Sequence, residues 1–208
     1  MSTLRSRCTL SLAIALAVPA AACLDTQAPP GDPENFDPIS TYPAVQSYAG
    51  EGFVLTQMAA VGVRKDGTID LTDKSFNPEV EYRFQREVAP PEDAPPVGAG
   101  GGGKWLMEVT VTVERPGKTW HETSNNYEGR RRTKGMMREE GTPRSGEPEQ
   151  GLARPSCSFA QMWEHAIEQG APAEAVAEID YDERGYEWSI QGTDFEFEFD
   201  PSCALIAD

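Results

Sequence analysis

The sequence predicts an α+β protein built from small antiparallel sheets, each covered by a helix. Apolar and polar residues alternate over residues 80–84 and 105–113, a pattern typical of strands with one buried face. Near the C-terminus, apolar residues recur at helical spacing between Ser158 and Gly170, and three short alternating segments follow. We therefore expect a helix-on-sheet lobe there and a β-rich lobe before it.

Residues 1–22 predict a secretory signal. Arg5 and Arg7 precede an apolar run over residues 9–18 that is too short to span a bilayer. Small residues then lead up to Cys23, where a peptidase would need access to the chain. The mature protein is therefore expected to be exported.

The junction before Cys23 resembles the lipobox of bacterial lipoproteins, with Ala20 in the place of the usual leucine. The resemblance implies that acyl chains on Cys23 anchor the protein in the bacterial cell envelope. By analogy with lipoprotein sorting, Leu24 in place of an aspartate implies the outer membrane. An ordinary signal cut nearby, which leaves Cys23 free, is the alternative.

The charge balance excludes nucleic acid as a partner. The chain has 18 Lys and Arg against 34 Asp and Glu, and loss of Arg5 and Arg7 with the signal leaves 16 against 34, or −18. Phosphate binding needs clustered positive charge, and anionic lipid repels such a chain. Attachment to a membrane would therefore depend on the acyl chains of Cys23.

The pattern of prolines and glycines predicts the domain organisation. Residues 23–43 contain five prolines and predict a flexible, lipid-anchored tether. The β-rich lobe covers residues 44–138 and includes a disordered Pro/Gly loop at 89–103. A linker at 139–156 separates it from the last lobe, residues 157–208.

The first lobe is predicted to contain a strand over 53–63, a tight turn at Asp66 and Gly67, and a short returning strand over 68–71. Pro116 and Gly117 would turn the chain back into a strand over 119–123.

The last lobe has the clearest local signals. Ser158 and Gln161 predict a capping box, and Gly170 with Pro172 predicts the end of the helix. The apolar stripe of that helix contains Phe159, Met162, Trp163, Ala166 and Ile167.

Two cysteines of the mature chain remain besides Cys23. Cys157 precedes the helix and Cys203 follows the last strand, so a helix packed across the sheet can bring them together. Thiols in an oxidising compartment usually pair, and neither cysteine has a histidine at ligand spacing. The sequence predicts a disulfide between them and no metal site.

The segment 157–206 resembles the PepSY-type module of exported bacterial proteins, in which a helix packs on a small meander. The likeness lies in the helix followed by Ala-Glu-Ala-Val-Ala-Glu-Ile-Asp-Tyr-Asp, Gly-Tyr-Glu-Trp-Ser-Ile and Phe-Glu-Phe-Glu-Phe-Asp-Pro, and the two cysteines depart from the family pattern. The resemblance implies an interaction or inhibitory module without catalytic residues. The first lobe is similar in rhythm, which leaves a second PepSY-like lobe as an open alternative.

No catalytic residue and no cofactor is predicted. The chain lacks a nucleophile elbow, a phosphate loop, a dinucleotide fingerprint and an HExxH helix. His165 is expected to be a solvated position on the helix, away from the apolar stripe. His121 lies beside Glu122 and near Ser124, but neighbours on one strand point to opposite faces.

Two charged groups are candidate binding surfaces. Carboxylates on the polar faces of the last strands predict a weak cation-binding or partner-binding face, with a plain solvated face as the alternative. These residues are Glu178, Asp180, Glu187, Glu196 and Glu198, together with Asp182. A basic cluster predicts an anion or partner patch, with a solvated strand edge as the alternative. Its residues are Arg130, Arg131, Arg132, Lys134 and Arg138.

Together these observations predict an envelope lipoprotein that acts as a binding module, with an envelope protein as its partner. A hydrolase with an unrecognised site near His121, or an inhibitor or chaperone of an exported enzyme, are the alternatives.

Overall fold

The computed structural model describes residues 25–92, 103–124 and 127–206. Its strands are β1 (Asp25–Gln27), β2 (Val54–Val63), β3 (Glu79–Val88), β4 (Lys104–Glu114), β5 (Thr119–Ser124), β6 (Tyr127–Arg132), β7 (Met136–Glu140), β8 (Arg144–Gly146), β9 (Ala177–Asp182), β10 (Gly185–Ser189) and β11 (Glu196–Phe199). Most of these strands form one antiparallel sheet of nine strands, in the order β1-β7-β4-β3-β2-β9-β10-β11, with β8 paired to β4. β5 and β6 form a separate two-stranded sheet.

Two helices, α1 (Pro38–Ala49) and α2 (Phe159–Glu168), pack on the same face of the large sheet. Tyr82 of β3 donates its hydroxyl hydrogen to the carbonyl oxygen of Pro38 at 3.2 Å, and Trp163 of α2 donates its indole hydrogen to that of Val63 at 3.1 Å. Alternating apolar residues of the strands supply the other half of the core. The largest of its fully buried side chains include Trp163, Trp188, Tyr82, Phe36, Phe84 and Phe159.

The predicted fold class is wrong, because the strands do not form small separate sheets with a helix each. β2, from the first predicted lobe, pairs with β9, from the last, at five registered positions from Met58 opposite Tyr181 to Val63 opposite Ala177. The hydrogen-bond ladder therefore runs through the predicted lobe boundary. Local alternation identifies strands but contains no information on which distant strands pair.

The segments predicted as tether and linker contain ordered elements. Within 23–43, β1 pairs with β7, and Asp37 caps α1 by accepting hydrogen bonds from the backbone of Ile39 and Ser40. Within 139–156, β8 pairs with β4. The backbone N–H of Leu152 donates a hydrogen bond to the carbonyl oxygen of Leu55 at 2.8 Å. Pro-rich composition alone is therefore a poor guide here, since Pro is favoured in the first turn of a helix.

The strand predictions for 53–63, 80–84, 105–113 and 119–123 are confirmed by β2, β3, β4 and β5. The returning strand over 68–71 is reduced to bridges of Ile69 with Phe36 and Val63. Most of the predicted loop at 89–103 lies outside the described residues.

The predicted C-terminal helix and three strands are present as α2 and β9–β11. Helix α2 ends before Gly170, whose φ of 95° lies in the left-handed region. The predicted capping box is wrong, since the side chain of Ser158 makes no capping hydrogen bond.

Cys157 and Cys203 form the predicted disulfide, with their Cα atoms 5.4 Å apart. The bond joins the start of α2 to the turn after β11. That turn is built on Asp200, whose carboxylate accepts hydrogen bonds from the backbone of Ser202 at 2.8 Å and Ala204 at 3.0 Å.

Candidate functional site

The sheet face opposite α1 and α2 carries the charged side chains of the central strands, and we call it the open face. Antiparallel pairing places Glu187 between Asp180 and Glu198, and places Ala59 between Asp180 and Glu81. Residues in register across strands share a face and stand about 4.8 Å apart per strand. Side chains from five consecutive strands are therefore aligned in one row.

A second row, displaced by two residues along each strand, runs parallel to the first. Ser189 lies between Glu178 and Glu196, and Val61 lies between Glu178 and Glu79. The two rows contain five of the six carboxylates that the sequence predicted as a cation or partner face, all except Asp182. We call these residues the acidic band: Glu178, Asp180, Glu187, Glu196 and Glu198.

The carboxylates of the acidic band repel one another. Partial burial, followed by the charges of Glu178 and Asp182, raises the pKa of Asp180, against the opposing effect of Arg83. Partial burial, followed by the charges of Glu196 and Asp180, likewise raises the pKa of Glu187. A positive charge brought to this surface would therefore be attracted to it.

Asp182 behaves differently from the acidic band. Its carboxylate accepts hydrogen bonds from the side chain and backbone of Arg184, at 2.8 Å in each case. These bonds hold the pKa of Asp182 below its usual range. Asp182 is thus already paired within the chain.

A groove of about 450 Å³ lies at the end of the open face where β2 ends and β9 begins. Val61 and Gly62 contribute to its floor, and the segments around Phe76 and Val176 flank it. Glu79 and Glu178 also line the groove. Phe76 is 55% exposed, which is the largest exposed fraction among the large apolar side chains of the described residues.

No sequence pattern predicts this groove. Phe76 stands alone between polar neighbours, so no periodic pattern marks it. Gly62 was the available signal, since an isolated glycine in a strand often marks a bulge. The register of β2 against β9 shifts at Gly62, where φ is 87°.

The basic cluster is not brought together as one patch by its described side chains. Arg138 lies on the helix-covered side, where it donates to the carbonyl oxygen of Ala49 at 3.1 Å and pairs with Glu140 at 2.7 Å. Arg132 and Lys134 are exposed near the end of β6. Arg130 and Arg131 belong to β6, and their side chains lie outside the described part.

Arginines occur on the open face, but they are paired. Arg83 lies 2.7 Å from Glu81, and Arg144 contacts Glu108 and lies 3.8 Å from Glu149. These groups line a polar depression of about 650 Å³ beside the acidic band.

The histidines do not form a catalytic arrangement among the described side chains. The prediction of a solvated His165 is wrong, because its ring packs edge-on against Phe197 at 5.5 Å and Phe199 at 5.8 Å. Ile167, predicted in the buried stripe, is instead 38% exposed. His121 lies on β5 opposite Arg130, and its side chain is outside the described part.

Cys23, the predicted lipidation site, also lies outside the described residues. Within the described ranges, no helix is long and apolar enough to cross a membrane. In the same ranges, no group of three or more His, Cys, Asp or Glu side chains is placed to hold a metal ion.

No protein-family model, curated protein sequence or solved structure matches the chain.

Proposed function

We propose that this protein is an envelope lipoprotein, anchored through acyl chains on Cys23, that binds a basic protein partner on the open face of its sheet. The observation that carries the proposal is the alignment of the acidic band. Five carboxylates from three neighbouring strands share one surface, and mutual repulsion contributes to the raised pKa values of Asp180 and Glu187.

The rest of the molecule supports a binding role. Helices cover the opposite face, whereas the acidic band on β9–β11 is partly or fully exposed on the open face. Charge complementarity speeds encounter and selects partners even where it adds little affinity. A chain with a formal net charge of −16 favours basic over acidic partners in the same way.

Site-specific photo-crosslinking in cells tests the binding role. A photoreactive residue at Ser189 on the open face should form an adduct with a discrete envelope protein. The same residue at Glu164, which is exposed on α2, is the matched control and should not form that adduct.

The captured protein should then bind the purified chain, and Asp180→Asn with Glu187→Gln should weaken that binding. Identical adducts from Ser189 and Glu164, or no adduct from Ser189, would contradict the proposal.

The anchor is tested separately. Replacing Cys23 by serine should release the protein from the membrane fraction and remove acyl mass from its N-terminus. A Cys23→Ser protein that remains membrane-bound, beside a wild type without acyl mass, would rule the anchor out.

A further inference from the structure

We infer that the groove at the end of the open face binds an extended segment of the partner in which an apolar side chain stands next to a lysine or arginine. This inference rests on the proposed function, and it names the contact site and the chemistry of the segment.

The groove has an apolar floor between two carboxylates. Val61 stands in register with Glu79 on one side and Glu178 on the other. With strands about 4.8 Å apart, the two acidic residues are separated by roughly 10 Å across Val61. An apolar side chain placed over Val61 would therefore have a carboxylate on each flank.

The two carboxylates are not equivalent. Glu79 already pairs with Lys118, whose ammonium lies 3.3 Å from its carboxylate. Glu178 forms no ion pair with a lysine or arginine within the described chain, and its charge raises the pKa of neighbouring Asp180. A cation on the partner would therefore pair with Glu178.

Phe76 supplies an apolar wall of the groove, and hydrogen-bonded turns precede it in the chain. Asp73, three residues before it, accepts hydrogen bonds from the backbone and hydroxyl of Ser75 at 2.7 and 2.6 Å. The preceding turn is closed similarly by Asp70 and Thr72. These hydrogen bonds restrain the backbone that leads to Phe76, and its exposed ring supplies apolar surface for a contact.

The shape of the groove depends on the bulge at Gly62. A Cβ atom added there would lie 3.1 Å from the side chain of Pro78, and φ is strained for other residues. The bulge brings the segment before β3 against β2, and it therefore helps to define the groove.

A second copy of this chain is a poor occupant, because both copies would bring the same excess of acidic residues. A basic segment with one apolar side chain matches both the apolar floor and the carboxylates of the groove. Long cationic side chains can also lay their methylene groups along Phe76 while their charge stays in water.

The probe for this site is a ten-residue peptide with one leucine between two lysines in a glycine–serine background. Added to isotopically labelled protein at about 1 mM, where a site of millimolar affinity is half saturated, it should shift backbone amide resonances around residues 61–62, 76–79 and 175–178. Its affinity should fall with added salt.

Matched variants of protein and peptide decide the outcome. Phe76→Ser and Glu178→Gln should each weaken binding by at least about fivefold, as expected for contact residues. Ile167→Ser and Glu164→Gln are the control variants, since they replace an exposed apolar residue and a glutamate on α2. They should leave the affinity for the peptide unchanged. A peptide with serine in place of leucine should bind more weakly.

Three results would overturn the inference: no shifts in the groove, shifts that spread evenly over the acidic band, or equal binding by the serine peptide. The crosslink at Ser189 separates this failure from that of the proposed function. If the adduct persists unchanged in Phe76→Ser and Glu178→Gln, the groove is not the contact site, although the open face still binds. If no adduct forms in the wild type, the binding role itself fails.

Discussion

Asp180 and Asp182 lie two residues apart on the same face of β9, but their carboxyl groups have opposite environments. Asp180 is surrounded by other carboxylates, and its pKa is raised chiefly by burial. Asp182 is paired with Arg184, and its pKa is lowered. Ionisation of Asp180 therefore lowers the stability of the folded state, whereas ionisation of Asp182 raises it.

Asp180→Asn is predicted to raise the free energy of unfolding at pH 7. A carboxyl group whose folded pKa exceeds its unfolded value binds more protons in the folded state, so stability falls as pH rises from the unfolded pKa through the folded one. Because Asp180→Asn has no charge at this position, it avoids this loss of stability. The gain, measured by urea unfolding, should shrink below about pH 4 and disappear by about pH 3, where the group is almost fully protonated in both states.

Asp182→Asn is the matched control and should have the opposite sign. Its lowered folded pKa contributes stability above the unfolded value, and this stability is lost as pH falls through the folded pKa. The variant should therefore be less stable than wild type at pH 7 and should converge with it in acid. Equal effects of the two substitutions at pH 7 would contradict the opposite environments of Asp180 and Asp182.

Removal of the disulfide should cost much of the stability of the chain. Cys157 and Cys203 are 46 residues apart, and closing such a loop is worth about 4 kcal/mol in the chain-entropy model. Cys157→Ala with Cys203→Ala should lower the free energy of unfolding by roughly 2–4 kcal/mol in urea. Wild type in reductant is the control and should lose a similar amount. An unchanged midpoint in both cases would show that the bond does not stabilise the fold.

At the scale of single elements, the turn between β9 and β10 depends on Gly185. Its φ is 127°, and an added Cβ would overlap the carbonyl oxygen of Phe199 on β11. Gly185→Ala should therefore lose roughly 2–4 kcal/mol in the free energy of unfolding, because strain and overlap add.

Gly192→Ala separates these two effects. Gly192 also has a positive φ, 77°, but its Cβ would meet nothing within 4 Å. Gly192→Ala should lower the free energy of unfolding by only about 1 kcal/mol, the cost of the backbone conformation alone. Equal losses at the two glycines in chemical denaturation would contradict the tight approach of β11 to Gly185.

The elements show which parts of the fold the sequence could predict. Strands such as β3 were found because Val80, Tyr82 and Phe84 alternate with charged residues, and this pattern is local. Helix α1 was missed because its prolines resemble a tether. Its start was nevertheless encoded by Asp37 as the cap and Pro38 as the first helical residue.

The pairing of β2 with β9 is the feature that local patterns could not supply. It joins residues more than a hundred positions apart, such as Met58 and Tyr181, and it decides that one sheet forms. The same pairing brings Val61 between Glu79 and Glu178. The carboxylates of the acidic band were thus predictable from alternation within β9–β11, whereas the groove depends on a non-local contact.

At the scale of the whole molecule, strand β1 lies close in sequence to the proposed anchor, Cys23. β1 starts at Asp25 and pairs with β7, so Leu24 alone separates Cys23 from the sheet. Two virtual bonds of 3.8 Å limit the distance between the Cα atoms of Cys23 and Asp25 to about 7.6 Å. If Cys23 is acylated, the β1 edge of the sheet is held at the bilayer rather than on a flexible tether.

If Cys23 is acylated, this short connection would also place the acidic band away from the membrane. β11 is seven strands away from β1 in the sheet order, or roughly 34 Å at about 4.8 Å per strand. The acidic band lies on β9–β11, at the other end of the strand order from β1. The open face would then present its carboxylates to a partner rather than to the membrane.

Energy transfer to a lipid headgroup tests this arrangement. In acylated protein on vesicles containing an acceptor lipid, a fluorescent residue at Gln27 in β1 should transfer more efficiently than one at Glu196 in β11; both positions are exposed. Insertion of a twenty-residue Gly–Ser linker between Leu24 and Asp25 gives a reach of about 25 Å, which should lower the transfer from Gln27 and reduce the difference between the two positions. Equal transfer from Gln27 with and without the linker would mean that the sheet is not held at the membrane by β1, because a direct connection of one residue cannot leave the same distance as a flexible one.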